Sequence, residues 1–62
     1  MPVVRVEIGK GRTAAQKKAL MKGVTDAVTS SLEIPPEWVT VLIYELERSD
    51  IATGGVPLDE QD

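Results

Sequence analysis

The sequence has no cysteine, no histidine and no phenylalanine, and its aromatic residues are one tryptophan and one tyrosine. Without cysteine no disulfide framework can form, and without cysteine or histidine the usual zinc sites are excluded. No segment reaches the roughly 20 apolar residues that a membrane-spanning helix needs. A chain of 62 residues buries only about 60% of the surface that its unfolded form exposes. We therefore expect oligomerisation to supply part of its stability.

Charge and composition exclude further classes of function. Seven basic and ten acidic residues give a net charge of −3, which argues against a nucleic-acid partner. The N-terminus lacks the charged-then-apolar layout of a signal peptide, so the expected location is cytoplasmic. The acidic residues show no spacing that demands a metal, and we expect neither a metal nor another cofactor. The residues considered for a metal were Glu7, Glu45, Glu47 and Asp50.

The first half of the chain predicts a strand followed by a helix. Residues 3–8 are mostly β-branched and alternate between two faces, which is typical of a strand. Thr13 and Gln16 have the spacing of a capping box, which predicts a helix start. Pro35 and the proline after it predict that this helix ends near residue 33. The predicted apolar stripe of the helix consists of Leu20, Val24, Ala27, Val28 and Leu32.

The second half predicts another strand and a small hairpin. Residues 38–46 are apolar on both faces, and a helix between two strands makes a β-α-β unit with parallel strands. One helix can cover one face only, so we expect the other face to meet another subunit. Residues 51–58 predict a hairpin around Gly54-Gly55, and residues 59–62 predict a frayed acidic end. The predicted fold class is α+β, in two layers completed by oligomerisation.

Pro2 is the candidate catalytic residue, although a proline before a strand can also be a simple edge residue without an N–H group. Removal of Met1 would leave Pro2 with a free secondary amine. An α-amino group has a reference pKa of about 7.7–8.0, and an apolar pocket with a nearby guanidinium lowers that pKa. Such an amine could act as a general base near neutral pH. If Met1 is retained, the nitrogen is an amide without useful basicity.

Several motifs together resemble the 4-oxalocrotonate tautomerase family. They are the start Pro2-Val3-Val4, the turn Gly11-Arg12-Thr13 followed by Gln16-Lys17, the proline after the helix, and Gly54-Gly55. The resemblance covers essentially the whole chain as one domain, residues 1–62. It implies a homohexamer, a trimer of dimers, that moves a proton between carbons of a 2-hydroxydienoate or another keto–enol carboxylate.

The resemblance also implies roles for individual residues. Pro2 would be the base, Arg12 would hold a substrate carboxylate with its planar fork, and the backbone amide of Gly9 would contact the substrate. A second active-site arginine of the family aligns with Thr40, and a hydrophobic aromatic residue aligns with Ile51. Ile51 can keep an apolar wall, while Thr40 offers only a neutral hydroxyl.

The departure at Thr40 leaves the reaction open. Loss of a donor that stabilises the developing enolate typically costs about 10²–10³ in rate, and Arg5 or Arg48 are the candidate replacements. One alternative is the same fold acting as a hydratase, dehalogenase or decarboxylase on a small unsaturated acid, with a protonated proline and an extra carboxylate. The candidates for that carboxylate are Glu7, Glu45 and Asp50. Another alternative is a non-catalytic oligomeric subunit or small binding module.

Overall fold

Two parallel strands joined by a long helix form the frame of the chain in a computed structural model, which describes residues 1–61. The elements are β1 (Val3–Gly9), α1 (Ala14–Leu32), β2 (Thr40–Leu46), β3 (Ala52–Thr53) and β4 (Val56–Pro57), with 3₁₀ turns at Pro36–Trp38, Arg48–Asp50 and Leu58–Glu60. β1 and β2 pair in parallel, from Val3 opposite Thr40 to Gly9 opposite Leu46. The predicted α+β class, with a β-α-β unit and a C-terminal hairpin, is confirmed.

The start and the end of α1 follow the sequence signals. Thr13 Oγ1 accepts a hydrogen bond of 3.1 Å from the backbone N–H of Gln16, and Gln16 Oε1 accepts one of 2.9 Å from the N–H of Thr13. The helix ends at Leu32, and the next residue, Glu33, has a φ of +54° in the left-handed region, two residues before Pro35. Both predicted helix ends are confirmed, because capping and proline act locally.

The predicted apolar stripe of α1 is only partly covered. Leu20, Val24 and Val28 are half-buried, but Ala27 is exposed and Leu32 is 58% exposed. The assignment of Ala27 and Leu32 to the packed face was therefore wrong for the single chain. Two strands that lie about 4.8 Å apart offer too narrow a surface to cover the whole stripe.

An ion pair joins the helix to the second strand. Lys17 Nζ lies 2.9 Å from Glu45 Oε1, and the two side chains are 29% and 32% exposed. Lys17 is half-buried and Glu45 is exposed, so the pair lies at the edge of the contact between helix and sheet. The partial exclusion of water strengthens this attraction compared with a fully exposed pair, and the pair fixes the first turns of α1 over β2.

The second strand starts later than predicted. Trp38 lies in a 3₁₀ turn in which its N–H donates to Pro35 O at 3.1 Å, and Val39 N–H donates to Pro36 O at 3.1 Å. Proline fixes φ near −65°, which favours a turn at this point. Residues 38 and 39 were therefore wrongly assigned to the strand, and Trp38 is 56% exposed.

The hairpin has the predicted position. Ala52 pairs with Pro57 and Thr53 with Val56 in antiparallel register. Gly54 and Gly55 have φ of +64° and +82°, which is why glycine suits both central positions of this two-residue turn.

The segment after the hairpin is more regular than expected. A 3₁₀ turn spans Leu58–Glu60, and the side-chain amide of Gln61 donates a hydrogen bond of 2.8 Å to Val56 O. The prediction of a frayed end was therefore wrong for residues 59–61, because backbone and side-chain hydrogen bonds hold them against the hairpin. The last residue of the chain, Asp62, lies outside the described residues.

The chain has little interior of its own. None of residues 1–61 is buried, and the radius of gyration is 14.4 Å, compared with about 11 Å for a compact domain of this length. The sheet face away from α1 carries Val3, Leu42, Tyr44 and Leu46, which are 55%, 38%, 44% and 38% exposed. This uncovered apolar face is the one that we expected another subunit to cover.

Among residues 1–61, no helix has both the length and the hydropathy of a membrane span.

Candidate active site

Pro2 lies at the start of the sheet, next to Thr40. Pro2 is half-buried, and its carbonyl oxygen accepts a hydrogen bond of 3.0 Å from the N–H of Thr40. This bond extends the pairing of β1 and β2 by one residue. Met1, which acylates the Pro2 nitrogen in the full chain, is 86% exposed. Two of the predicted site residues, Pro2 and Thr40, are therefore neighbours at one end of the sheet.

A carboxylate that was not predicted from the sequence lies at this same end. Met1, Glu37 and Trp38 line an open pocket of about 420 Å³. Because Trp38 was assigned to a strand, Glu37 was not recognised as a residue of this pocket. Only the 3₁₀ turn brings Glu37 and Trp38 close to Met1. The Pro35-Pro36 pair was the signal that could have indicated the turn.

A second open pocket lies at the opposite end of β1. Its volume is about 480 Å³, and it is lined by Ile8, Gly9, Lys10, Gly11, Arg12, Arg48 and Leu58. Gly9 and Arg12, two of the predicted site residues, therefore lie in the same pocket. A Cβ atom built on Gly9 would lie 3.6 Å from Ile51 Cδ1 and 3.7 Å from Arg48 Cγ. Ile51 is thus adjacent to Gly9, as expected of an apolar wall.

This second pocket is cationic, although the chain as a whole has a net charge of −3. Three of its lining residues are basic, and none of the described residues that line it is acidic. Lys10 Nζ donates to Glu47 Oε1, and this hydrogen bond and the carboxylate charge raise the pKa of Lys10. Because Glu47 offsets the charge of Lys10, Arg12 and Arg48 supply most of the positive potential of the pocket. We refer to it below as the arginine pocket.

The predicted site is split between two distant places on one chain. Pro2 precedes β1 and Gly9 ends it, so about 23 Å of strand separates them at about 3.3 Å per residue. A small acid held by Arg12 in the arginine pocket could not reach Pro2 of the same chain. The structure brings Gly9, Arg12 and Ile51 together, and separately Pro2 and Thr40.

Solved structures of 4-oxalocrotonate tautomerases share this parallel β-α-β fold. The solved structure of a heterohexamer 4-oxalocrotonate tautomerase from Chloroflexus aurantiacus has the same fold, with a TM-score of 0.95, 24% sequence identity, and 100% coverage of both chains. The structure of YwhB, a homologue of 4-oxalocrotonate tautomerase, matches with a TM-score of 0.90 at 33% identity, covering 98% of this chain and 100% of its own.

Sequence comparison agrees with the fold. The family described as tautomerase enzyme matches residues 2–61. A 2-hydroxymuconate tautomerase of Pseudomonas sp. is 40% identical over 57 residues, which are 92% of this chain and 90% of that protein. The chain therefore belongs to the tautomerase family, in its 4-oxalocrotonate tautomerase group, and family membership makes it an isomerase.

Replacing two glycines of the arginine pocket by alanine should have different effects on the free energy of unfolding. Gly9 has no positive φ, and its new Cβ would make ordinary contacts, whereas Gly11 has a φ of +125°. Gly9→Ala should leave the free energy of unfolding unchanged or raise it by up to about 1 kcal/mol. Gly11→Ala should lower it by about 1–3 kcal/mol. Urea unfolding at equal protein concentration measures both, and equal losses would contradict this account of the pocket backbone.

Proposed function

We propose that this tautomerase moves a proton between carbons of a 2-hydroxydienoate or another keto–enol carboxylate, with Pro2 as its general base. The observation that carries the proposal is the position of Pro2, half-buried at the start of the sheet behind an exposed Met1. The family match begins at this residue. The likeness to a 2-hydroxymuconate tautomerase supports the substrate class.

The chemistry follows from the amine that removal of Met1 creates. The Pro2 nitrogen accepts a proton from the carbon next to a carbonyl group or, in an enol substrate, from the hydroxyl group. In both cases the electron pair left behind forms the conjugated enolate. The ammonium then returns a proton to a carbon of the conjugated system, which gives the keto acid. A base is most effective when its pKa is close to the working pH, and an α-amine is closer to neutrality than a lysine.

We further propose that the site is completed between chains of a homo-oligomer, a hexamer built as a trimer of dimers. Pro2 and the arginine pocket lie too far apart in one chain, and the sheet face with Val3, Leu42 and Tyr44 needs a cover. Covering it removes apolar surface from water, at about 25 cal/mol per Å². The Chloroflexus neighbour is a heterohexamer, so the fold is compatible with an assembly of six chains.

In the assembled site each remaining residue has a defined role. Arg12 binds the substrate carboxylate with two parallel N–H groups, and the amide of Gly9 donates to a substrate oxygen. Ile51, beside Gly9, excludes water, and Thr40 offers its hydroxyl beside Pro2. The substrate is a small unsaturated or keto acid, and no cofactor takes part.

The first test compares protein without Met1 and protein that retains it. Only the first form has a free amine at Pro2, and the second also keeps the Met1 side chain in the pocket with Glu37. We expect the Met1-free form to ketonise 2-hydroxymuconate or phenylenolpyruvate at least about 10²-fold faster, the typical contribution of a general base. Intact mass identifies each form, and Pro2→Ala provides a second comparison. Equal rates of the two forms would overturn the proposal.

A second candidate function is supported by Glu37. Its carboxylate lines the pocket next to Met1, and a nearby negative charge raises the pKa of an amine. A cationic Pro2 beside a carboxylate suits hydration, dehalogenation or decarboxylation of a small unsaturated acid, in which the amine donates a proton.

The pH dependence of kcat/KM separates these two functions. If Pro2 is a base, kcat/KM rises as pH increases through the pKa of the free amine, because only the neutral form accepts a proton. If Pro2 is an acid, kcat/KM falls over that range. Glu37→Gln should lower the pH of this transition in either case, with Glu33→Gln at the helix end as a control for lost charge. Uniform retention of Met1 in the native host would favour a non-catalytic subunit instead.

A further inference from the structure

Arg48, one of the two candidate replacements for the arginine missing at Thr40, lies in the arginine pocket. It is the first residue of the 3₁₀ turn after β2. Its Cγ lies next to the backbone of Gly9, at 3.7 Å from the position that a Cβ atom of residue 9 would occupy. Arg12 lines the same pocket from the loop before α1. Two arginines from distant parts of the sequence therefore line one open space.

The hydrogen bonds of Arg48 leave most of its donors free. Its Nη2 donates to Leu58 O at 3.3 Å, which is a long bond. A guanidinium carries five N–H donors, so this single contact leaves the majority available to a ligand. None of the ion pairs within residues 1–61 engages Arg48, in contrast to Lys10, which is paired with Glu47.

The anchoring of Arg48 also limits its freedom. Its aliphatic stem lies beside Gly9, and its guanidinium donates to Leu58 O, so the side chain has contacts along its length. An arginine that is ordered before binding loses less conformational entropy when it meets a carboxylate. The nearest carboxylate in sequence, Glu47, is engaged by Lys10.

We propose that Arg48 is a second anion-binding residue, which acts with Arg12 on the same carboxylate-bearing ligand. The proposal rests on the proposed function for the identity of that ligand, but anion binding itself does not require the Pro2 amine. Two cations in one pocket favour small acids that carry two carboxylates over those that carry one. Arg48 would therefore determine substrate preference without transferring a proton.

Binding is best measured on protein that retains Met1, because this form should bind but not turn over. The probe is fumarate, a small unsaturated dicarboxylate, titrated by calorimetry and by backbone amide shifts of residues 9–12. Arg48→Met keeps the aliphatic stem beside Gly9 and removes the guanidinium, while Arg48→Lys keeps the charge. Lys18→Ala, on the exposed side of α1, is the control for the loss of one positive charge.

We expect Arg48→Met to weaken fumarate binding by about 10- to 100-fold, the usual effect of losing hydrogen bonds to a charged group. Arg48→Lys should recover part of the affinity, and Lys18→Ala should leave it close to wild type. In the Met1-free enzyme, Arg48→Met should raise KM more for a dicarboxylate than for a monocarboxylate substrate.

The outcomes separate this proposal from a structural role and from the proposed function. If Arg48→Met lowers the melting temperature but binds fumarate like Lys18→Ala, Arg48 only holds the hairpin and the proposal is wrong. If Met1-free protein is inactive on every keto acid but Arg48 still governs fumarate binding, the proposed function fails and this proposal stands.

Discussion

The constraint on which the structure depends is that one helix covers one face of a two-stranded sheet. α1 lies over the side chains of Val4, Val6 and Ile8, and none of residues 1–61 becomes buried. The hydrophobic effect that normally drives folding is therefore only partly used within one chain. The apolar residues on the other sheet face and the extended hairpin are surfaces that an assembly can use. Stability and catalysis would then both depend on the same contacts between chains.

The length of β1 would make the proposed site a shared one. Pro2 lies seven residues before Gly9, so its nitrogen and the arginine pocket lie about 23 Å apart along the strand. In the proposed mechanism, the base and the groups that bind the substrate would therefore come from different chains. Assembly would bring the Pro2 amine to the guanidinium groups and exclude water from both. Exclusion of water strengthens the ionic contacts to the substrate, so oligomerisation would increase binding as well as stability.

The sequence predicted the elements that depend on local interactions. The capping box at Thr13, the helix end before Pro35 and the turn at Gly54-Gly55 are each determined by a few neighbouring residues, and all three were confirmed. Fold class and family were also predicted, because few folds combine this order of strands and helix with glycine and proline at these positions.

The errors concern properties that depend on what packs against a residue. Trp38 has the composition of a strand residue, but the two prolines before it force a turn. The ion pair of Lys17 with Glu45, at 2.9 Å, was not predicted, because it depends on how α1 packs against β2. Arg48 was named from the sequence as one of two candidate replacements, but only the tertiary structure places it in the pocket with Arg12. Glu37 was missed, because only the 3₁₀ turn brings it to the pocket beside Met1. The roles of Pro2, Gly9, Arg12, Thr40 and Ile51 stay predictions.

The central claim is that one site uses Pro2 of one chain and Arg12 of another, and subunit mixing tests it most directly. Met1-free Arg12→Ala chains and wild-type chains that retain Met1 should each be inactive alone. After the two are dissociated together and reassembled, hybrid oligomers should regain activity, because some sites combine a free Pro2 amine with an intact Arg12. Activity no higher than the sum of the separate proteins, in hybrids verified by native mass spectrometry, would contradict the account.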